Sequence, residues 1–536
     1  MDFFLFSQDS LPQEFYFDGY CFLGSDYISG REGVIEYERE NCRLIEFDED
    51  GCYFLGRPTD GGFKFGADFQ GNARIFLYRS EKRWALSNSF ARLLDHIRAN
   101  DLPFSVCSHQ LDSWRIRAPF GQQPNSFKTA INEIVLVPSW CEVIVGGDGA
   151  KLNPRKDRNN GAIYQEAISN FVRVWANRIA SLVDRSDISV TVDVSGGVDS
   201  RANLALLLAM RSKGFGNNVH FNSSKTGGVK GDFEVASKLA EKYHFSLNQP
   251  RLQTDLYLST DTALRYTEDF LLGSYASLRP FRTKPNPFNV KIGGGAGEIF
   301  RPFFADRYSS DFLDSLKLAF SSDTAFQNWK ADVLETLEIL RARDMQQTDP
   351  LVLHYREFRS RFHTGGATNM ITAAMPFQSR AAYQIAWSAS NNKIQDGQIG
   401  YDLIGSVFPE LLNDDYDNPS KKPTENNIRN LVAPVDFDVI PGKVYVSIDA
   451  GNVPSQESVA QFLKQYYKKF CTDLSSWPIV EKLTADEIVR SSLTSGRFPR
   501  PPEGASLHRM MLAAKIETLY ASRRSNSVGF MWDVLV

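Results

Sequence analysis

Residues 188–212 read ISVTVDVSGGVDSRANLALLLAMRS, and the architecture of the chain follows from them. Ile188, Val190, Val192 and Val194 alternate with polar residues at period two, which predicts a strand. Asp199–Met210 predicts an apolar helix. Between them lies Ser195-Gly196-Gly197-Val198-Asp199-Ser200. Two glycines let the backbone bend tightly and approach a ligand with no Cβ in the way. The helix start offers unpaired N–H groups and a partial positive charge. Ser195 and Ser200 add hydroxyls, so the loop is an anion cradle suited to phosphates. Asp199 would repel a bare phosphate at that position; it makes chemical sense as ligand to a Mg2+ that the phosphates also bind. The loop lacks the Gly-Lys-Ser/Thr of a Walker A motif. Five fixed positions of these types arise by chance in a chain this long with probability on the order of 10⁻³.

The flanks repeat the strand–helix grammar. Ile163–Val183 places Ile168, Phe171, Val172, Trp175, Ile179 and Leu182 at helical spacing. Val219–Ser223 predicts a second strand and Phe233–Tyr243 a second helix. Alternation at this spacing implies a parallel sheet with right-handed crossovers. Residues 1–150 instead carry short apolar-aromatic runs, with turn signals at Gly71-Asn72 and Asp148-Gly149, and one helix near Ser89–Ala99. Gly147–Gly161 loses apolar periodicity and is expected to be the linker. From about residue 305 the pattern is mostly helical to the end, with a Pro/Arg-rich loop at Arg497–Pro502.

The chain has 536 residues, with 60 Lys+Arg against 64 Asp+Glu, a formal charge of −4. That balance leaves no basic excess to neutralise phosphate backbones, so no nucleic-acid partner is expected. With 42% hydrophobic and 23% charged residues the composition is ordinary globular, which excludes disorder, collagen and simple coiled coil. No stretch of about 18 uninterrupted apolar residues exists, so no membrane span is expected. The six cysteines form no Cys-x-x-Cys pair, and the seven histidines show no zinc spacing. The first 20 residues lack a basic n-region, and these features together read as a soluble cytoplasmic protein with free thiols.

The SGGVDS loop resembles the pyrophosphate loop of the ATP pyrophosphatases, specifically of the asparagine synthetase family. Asp232, Val235, Ala236, Leu239 and Ala240 are similar to the helix after that family's second strand, and Val290–Phe300 (VKIGGGAGEIF) resembles its later strand and Gly-rich loop. Met375–Pro409 resembles the helical part that follows, and residues 73–98 look like a worn glutaminase domain. The resemblance implies an α/β chain in two parts. Residues 1–150 would be a β-rich, Ntn-like α+β domain of the class II glutamine amidotransferase type. Residues 160–536 would be a parallel-sheet ATP pyrophosphatase (adenine nucleotide alpha hydrolase-like) domain with a helical C-terminal part. It implies that Ser195, Gly196, Gly197, Asp199 and Ser200 hold pyrophosphate and Mg2+, that Val194 and Ser223 flank the adenine of ATP, and that Gly293 lies against ribose or adenine.

Three departures from the family pattern shape the expected chemistry. Glutamine-using members carry a nucleophilic Cys after the initiator Met, whereas position 2 here is Asp2 and the nearest thiol is Cys21; no glutaminase activity is expected. The later loop usually holds acidic residues where this chain has Gly294 and Gly297, leaving Glu298 as the remaining candidate metal ligand beside Asp199. The family places a late Lys against the charge of the transition state, and Lys421 and Lys422 are the candidates, with Arg201 a further cation or a surface residue. The expected activity is an ATP-dependent, AMP-forming ligase joining a small-molecule or peptide-like carboxylate to an amine or ammonia without glutamine. It would resemble the β-lactam-forming and lasso-peptide-cyclising branch, in natural-product or surface-polysaccharide biosynthesis, with a homodimer left open. The alternatives are an asparagine synthetase proper and a catalytically silent nucleotide-binding scaffold subunit.

Overall fold

The computed structural model describes residues 2–116, 118–155, 162–225, 231–249, 256–270, 283–304, 309–344 and 348–447, together with Ile516. Its first part contains β1 (Leu5–Ser7), β2 (Tyr16–Leu23), β3 (Asp26–Ser29), α1 (Gly30–Asn41), β4 (Asp50–Thr59), β5 (Gly62–Ala67), β6 (Phe76–Ser80) and β7 (Arg83–Ser87). There follow α2 (Phe90–Ala99), the short α3 (Ser108–Asp112), β8 (Ile134–Leu136), β9 (Cys141–Gly146) and β10 (Gly149–Pro154). One sheet has the order β1-β7-β6-β8 and the other runs β10-β9-β5-β4-β2-β3. Period-two alternation gives both sheets an apolar inner face: Phe54, Phe63, Phe65, Val143 and Val145 of the larger meet Leu77, Trp84 and Leu86 of the smaller. The opposite faces are covered too. Val34 and Tyr37 of α1 pack on Cys21, Ile28 and Tyr53, while Leu93, Leu94 and Ile97 of α2 pack with Phe76 and Tyr78. The result is helix, sheet, sheet, helix.

The second part begins with α4 (Tyr164–Val183), β11 (Ser189–Asp193), α5 (Val198–Ser212), β12 (His220–Asn222), α6 (Asp232–Lys242), β13 (Leu256–Tyr257), α7 (Thr260–Asp269), β14 (Thr283–Lys284) and β15 (Asn289–Ile292). It continues with α8 (Ser309–Asp314), α9 (Asp323–Ala342), α10 (Pro350–His354), a π-helix (Tyr355–Thr364), α11 (Gly365–Met370), β16 (Ala373–Ala374), α12 (Arg380–Ser388), α13 (Asn391–Gln395), α14 (Gln398–Val407), α15 (Glu425–Arg429) and β17 (Val444–Val446). The sheet β12-β11-β15-β16 is parallel throughout, with Val192 opposite Phe221 on one side and Ile292 on the other. Its strands are buried in one core with α4, α5, α12 and α14, as a parallel sheet requires.

The expected strand and helices around the SGGVDS loop are present within a residue or two. Three expectations change. The stretch expected as linker is partly a hairpin: β10 pairs antiparallel with β9 across the Asp148-Gly149 turn, with Gly149 at φ +101°. As an edge strand it needs little apolar content, which is why its composition reads as loop. Helix α1 was not expected, because it buries only Gly33, Val34 and Tyr37 and most of its other residues are charged. The late chain is mostly helical among the described residues, as expected, but it also supplies a strand that was not: β17 returns to pair parallel with β3 and completes the larger sheet. The Pro/Arg-rich stretch 497–502 lies outside the described residues.

The two parts are joined by buried polar bonds. Arg178 of α4 donates to Asp50 Oδ2 at 2.7 Å, and the backbone N–H of Arg380 donates to Asp50 Oδ1 at 2.7 Å. Both side chains of the pair are under a tenth exposed, so removing one leaves an uncompensated buried charge. Asp50→Ala is therefore expected to lower stability by about 3–5 kcal/mol, read from the urea midpoint by circular dichroism. Asp50→Ala combined with Arg178→Met should recover part of that loss.

Candidate functional site

Parallel pairing brings the carboxyl ends of β12, β11 and β15 to one edge, where open α/β sheets hold their ligands. The backbone N–H of Val194 donates to Asn222 O at 2.8 Å and carries the pairing one residue past β11. The chain then turns through Ser195–Gly197 into α5, whose first-turn N–H groups face out of the helix start. Ser195 Oγ and Ser200 Oγ are 2.7 Å apart, the Ser195 N–H donates to Ser200 Oγ at 3.2 Å, and the Gly197 N–H donates to Ser195 Oγ at 3.3 Å. Gly196 is held from two sides. Its N–H donates to Asp232 Oδ1 at 2.9 Å, and its carbonyl accepts from the Asp417 N–H at 3.2 Å. A Cβ there would lie 2.6 Å from Asp417 N, so this position needs a glycine for close approach rather than for its dihedrals.

The turn after β15 lies against the same helix start. Asn203 Nδ2 donates to the Gly293 carbonyl at 3.0 Å, and a Cβ on Gly294 would sit 2.9 Å from Ser200 N. Ala296 adopts φ +70°, a left-handed conformation that costs a non-glycine residue about 1–3 kcal/mol. A Cβ on Gly297 would overlap the Asp199 carboxylate. That carboxylate is paired with Arg301, whose Nη1 and Nη2 donate to Asp199 Oδ1 and Oδ2 at 2.8 and 2.7 Å. Nη2 also reaches Glu298 Oε1 at 3.3 Å, and Glu298 Oε2 accepts from the Tyr355 hydroxyl at 2.9 Å. Burial pushes the Asp199 carboxyl up from its ordinary value, against the pull of Arg301. Burial works against the Arg301 charge as well, but Asp199 and Glu298 hold the guanidinium above its usual range. Burial raises the Tyr355 hydroxyl well above its ordinary value.

The two expected lysines part company. Lys421 Nζ donates to Asp417 Oδ2 at 2.7 Å, and its charge bears on Asp199. Lys422 is exposed, and its charge is felt at Asp415 instead. Asp417 Oδ1 is buried with no hydrogen-bond partner among the described residues. Arg201 is neither a surface residue nor part of the cradle. It is fully buried, donates to the carbonyls of Leu411, Asp414 and Asp415, and lies 3.6 Å over the Tyr416 ring, bracing the segment that presents Asp417 and Lys421. Ser223 is buried with its N–H donating to Asn248 Oδ1 at 3.0 Å, and Gly293 faces Met375 Sδ.

Sequence reasoning did not assign the roles of Arg301, Tyr355, Asp417 or Asp232. Arg301 directly follows the Gly-rich motif and was within reach, whereas Asp417 carries no local signal. At the other end, Asp2 is a structural anchor: its backbone N–H donates to Asp18 Oδ2 at 2.6 Å, and its carboxylate accepts from the Tyr266 hydroxyl and lies 3.6 Å from Lys284 Nζ. Burial pushes that carboxyl up, but Tyr266 and Lys284 hold it below its ordinary value. Cys21 is fully buried in β2, and burial drives its thiol far above the ordinary range.

The cradle suits a polyphosphate: helix-start N–H groups, two hydroxyls, no Cβ at Gly196 or Gly197, and one lysine alongside. The donor set does not fit a resident divalent ion in this arrangement, because both Asp199 oxygens and one Glu298 oxygen already face a guanidinium. Comparison with known protein families and with curated proteins finds no match. Among the described residues, no helix is long and apolar enough to cross a membrane.

Gly297→Ala is expected to force the Asp199 carboxylate off Arg301 and to destabilise by about 1–3 kcal/mol, read from the urea midpoint. Because both act through one ion pair, the loss in Gly297→Ala/Asp199→Ala should be close to that of Asp199→Ala alone.

Proposed function

We propose that this chain is an AMP-forming amide ligase of the asparagine synthetase type, with an N-terminal part of Ntn-like architecture that lacks a nucleophile. The observation that carries the reading is the SGGVDS loop at the carboxyl end of central strand β11, with Lys421 held beside it through Asp417. In this reading the helix-start N–H groups, Ser195 and Ser200 grip the β- and γ-phosphates of ATP as the leaving unit. The strand ends at Val194, Ser223 and Gly293 receive the nucleoside, as in other open sheets.

A substrate carboxylate oxygen attacks the α-phosphorus, the bond to the bridging oxygen breaks, and pyrophosphate leaves. An amine or ammonia then attacks the acyl carbon, loses a proton, and releases AMP. Lys421 offsets the negative charge that develops in both steps, a contribution worth several kcal/mol in a dry site. Mg2+ belongs to the reading as the ion that accompanies ATP. It reaches Asp199 only where Arg301 gives way, and no step above depends on it.

A second reading, a catalytically silent nucleotide-binding subunit, is favoured by that same Arg301–Asp199 pair, which closes the loop carboxylate to a metal. The two readings separate in one assay. With ATP, Mg2+ and a panel of small acids, peptide acids and amines, the ligase yields AMP and pyrophosphate; ADP as the product overturns the family assignment. ATP binding without turnover across the panel favours the silent subunit. Lys421→Ala is expected to lower turnover about 10²- to 10³-fold with ATP binding retained, while Lys422→Ala stays near the parent. Equal losses in both would remove the role given to Lys421.

The N-terminal part is expected to release no glutamate from glutamine, with or without ATP, because Asp2 offers no nucleophile and Cys21 is sealed in the core. Release above background that persists in Cys21→Ala would point to another nucleophile.

A further inference from the structure

Asp199 is the second residue of α5, so a carboxylate stands in the very turn whose N–H groups would receive phosphate. Left unpaired, it repels a polyphosphate. A divalent ion is one way to cancel that charge. The structure holds another. Arg301 Nη1 and Nη2 donate to the two Asp199 oxygens at 2.8 and 2.7 Å, and Nη2 also reaches Glu298 Oε1 at 3.3 Å. Two parallel N–H···O bonds from a planar fork are strong and directional, which a lysine could not reproduce.

Two neighbours commit the carboxylate to this cation. A side chain at position 297 would overlap the Asp199 carboxylate, so no second acid fits there to complete a pair of metal ligands. Glu298 is engaged at both oxygens, Oε1 with Arg301 and Oε2 with the Tyr355 hydroxyl at 2.9 Å. An entering divalent ion has to break the bidentate pair first. The guanidinium itself is not used up. Of its five N–H donors, two go to Asp199 and one to Glu298, while the Nε–H and the second Nη1 proton have no hydrogen-bond partner among the described residues. The side chain keeps 31% of its surface exposed, so the pair is open to a ligand from outside. A guanidinium suits phosphate oxygens as well as carboxylates.

We infer, resting on the reading of this loop as a polyphosphate site, that Arg301 stands there in place of a divalent ion: it cancels the Asp199 charge, offers its two remaining donors to the phosphates, and lets ATP bind without metal. The sequence carries the matching pair of changes, no acid at Gly297 and a cation at Arg301.

The test is calorimetric titration of the full-length protein with ATP, once in EDTA and once in excess Mg2+. The parent is expected to bind in both conditions with dissociation constants within about threefold of each other. Arg301→Met leaves Asp199 unpaired, so binding in EDTA should weaken about tenfold or more, and Mg2+ should restore it by taking the place of the guanidinium. Asp199→Asn combined with Arg301→Met removes both charges; it should bind more tightly in EDTA than Arg301→Met and gain nothing from Mg2+. Circular dichroism checks that the variants fold. Parent binding that tightens about tenfold or more on adding Mg2+ overturns the inference and leaves the polyphosphate reading standing. Absence of binding in both conditions removes that reading, and the inference with it. Arg301→Met that matches the parent in EDTA, or that Mg2+ fails to rescue, also overturns the inference.

Discussion

Two stretches of backbone meet more closely than any side chain allows, and the candidate site is built on that contact. The turn Gly293–Gly297 lies on the first turn of α5, with a Cβ at Gly294 excluded by the Ser200 amide. The segment that presents Asp417 lies as closely on Gly196 from the other side. Parallel pairing of β15 with β11 sets the first approach, since both strands end at the same level of the sheet. Once those backbones touch, Glu298 and Arg301 can only project over Asp199. A β-carbon at any of these glycines would move the Ser195–Ser200 loop.

The charge arrangement follows from the same contact. A planar guanidinium matches a carboxylate with two parallel hydrogen bonds, and Arg301 makes that match with Asp199 while reaching Glu298 with its remaining donors. Burial raises the cost of either charge alone, so the pair stands or falls together. Lys421 and Asp417 form a second pair on the opposite side, where the Asp417 side chain is 1% exposed and Lys421 is not. The loop therefore sits between one cation committed to carboxylates and another whose ammonium remains half open.

The two parts of the chain are interleaved rather than merely adjacent. Besides the Asp50 bonds, Tyr20 donates its hydroxyl to the Ala373 carbonyl at 2.6 Å. Arg361 of the π-helix donates to the carbonyls of Gly71 and Val137 at 3.1 Å each. Strand β17 closes the N-terminal sheet with residues from beyond α15. The π-helix that carries Arg361 also carries Tyr355, which holds Glu298. One irregular segment thus ties the Glu298 turn beside the SGGVDS loop to the N-terminal sheets, and such local widenings of a helix recur at functional places.

Much was legible in residues 188–212, where the alternating valines and the apolar helix appear as β11 and α5 almost to the residue. Those signals are local: period-two burial, glycine freedom and helix-start chemistry act over a few residues, so a linear string carries them. The edge strand β10 and helix α1 were not legible, because an element with one solvated face shows too little apolar pattern. What Asp199 faces, which lysine approaches the loop, and whether Arg201 is a surface cation or a buried brace depended on folding. Asp199 and Arg301 are 102 positions apart, and the pairing of two charges is set by their distance through space. No periodicity in the chain encodes that distance; it exists only after the sheet has brought the ends of β11 and β15 side by side.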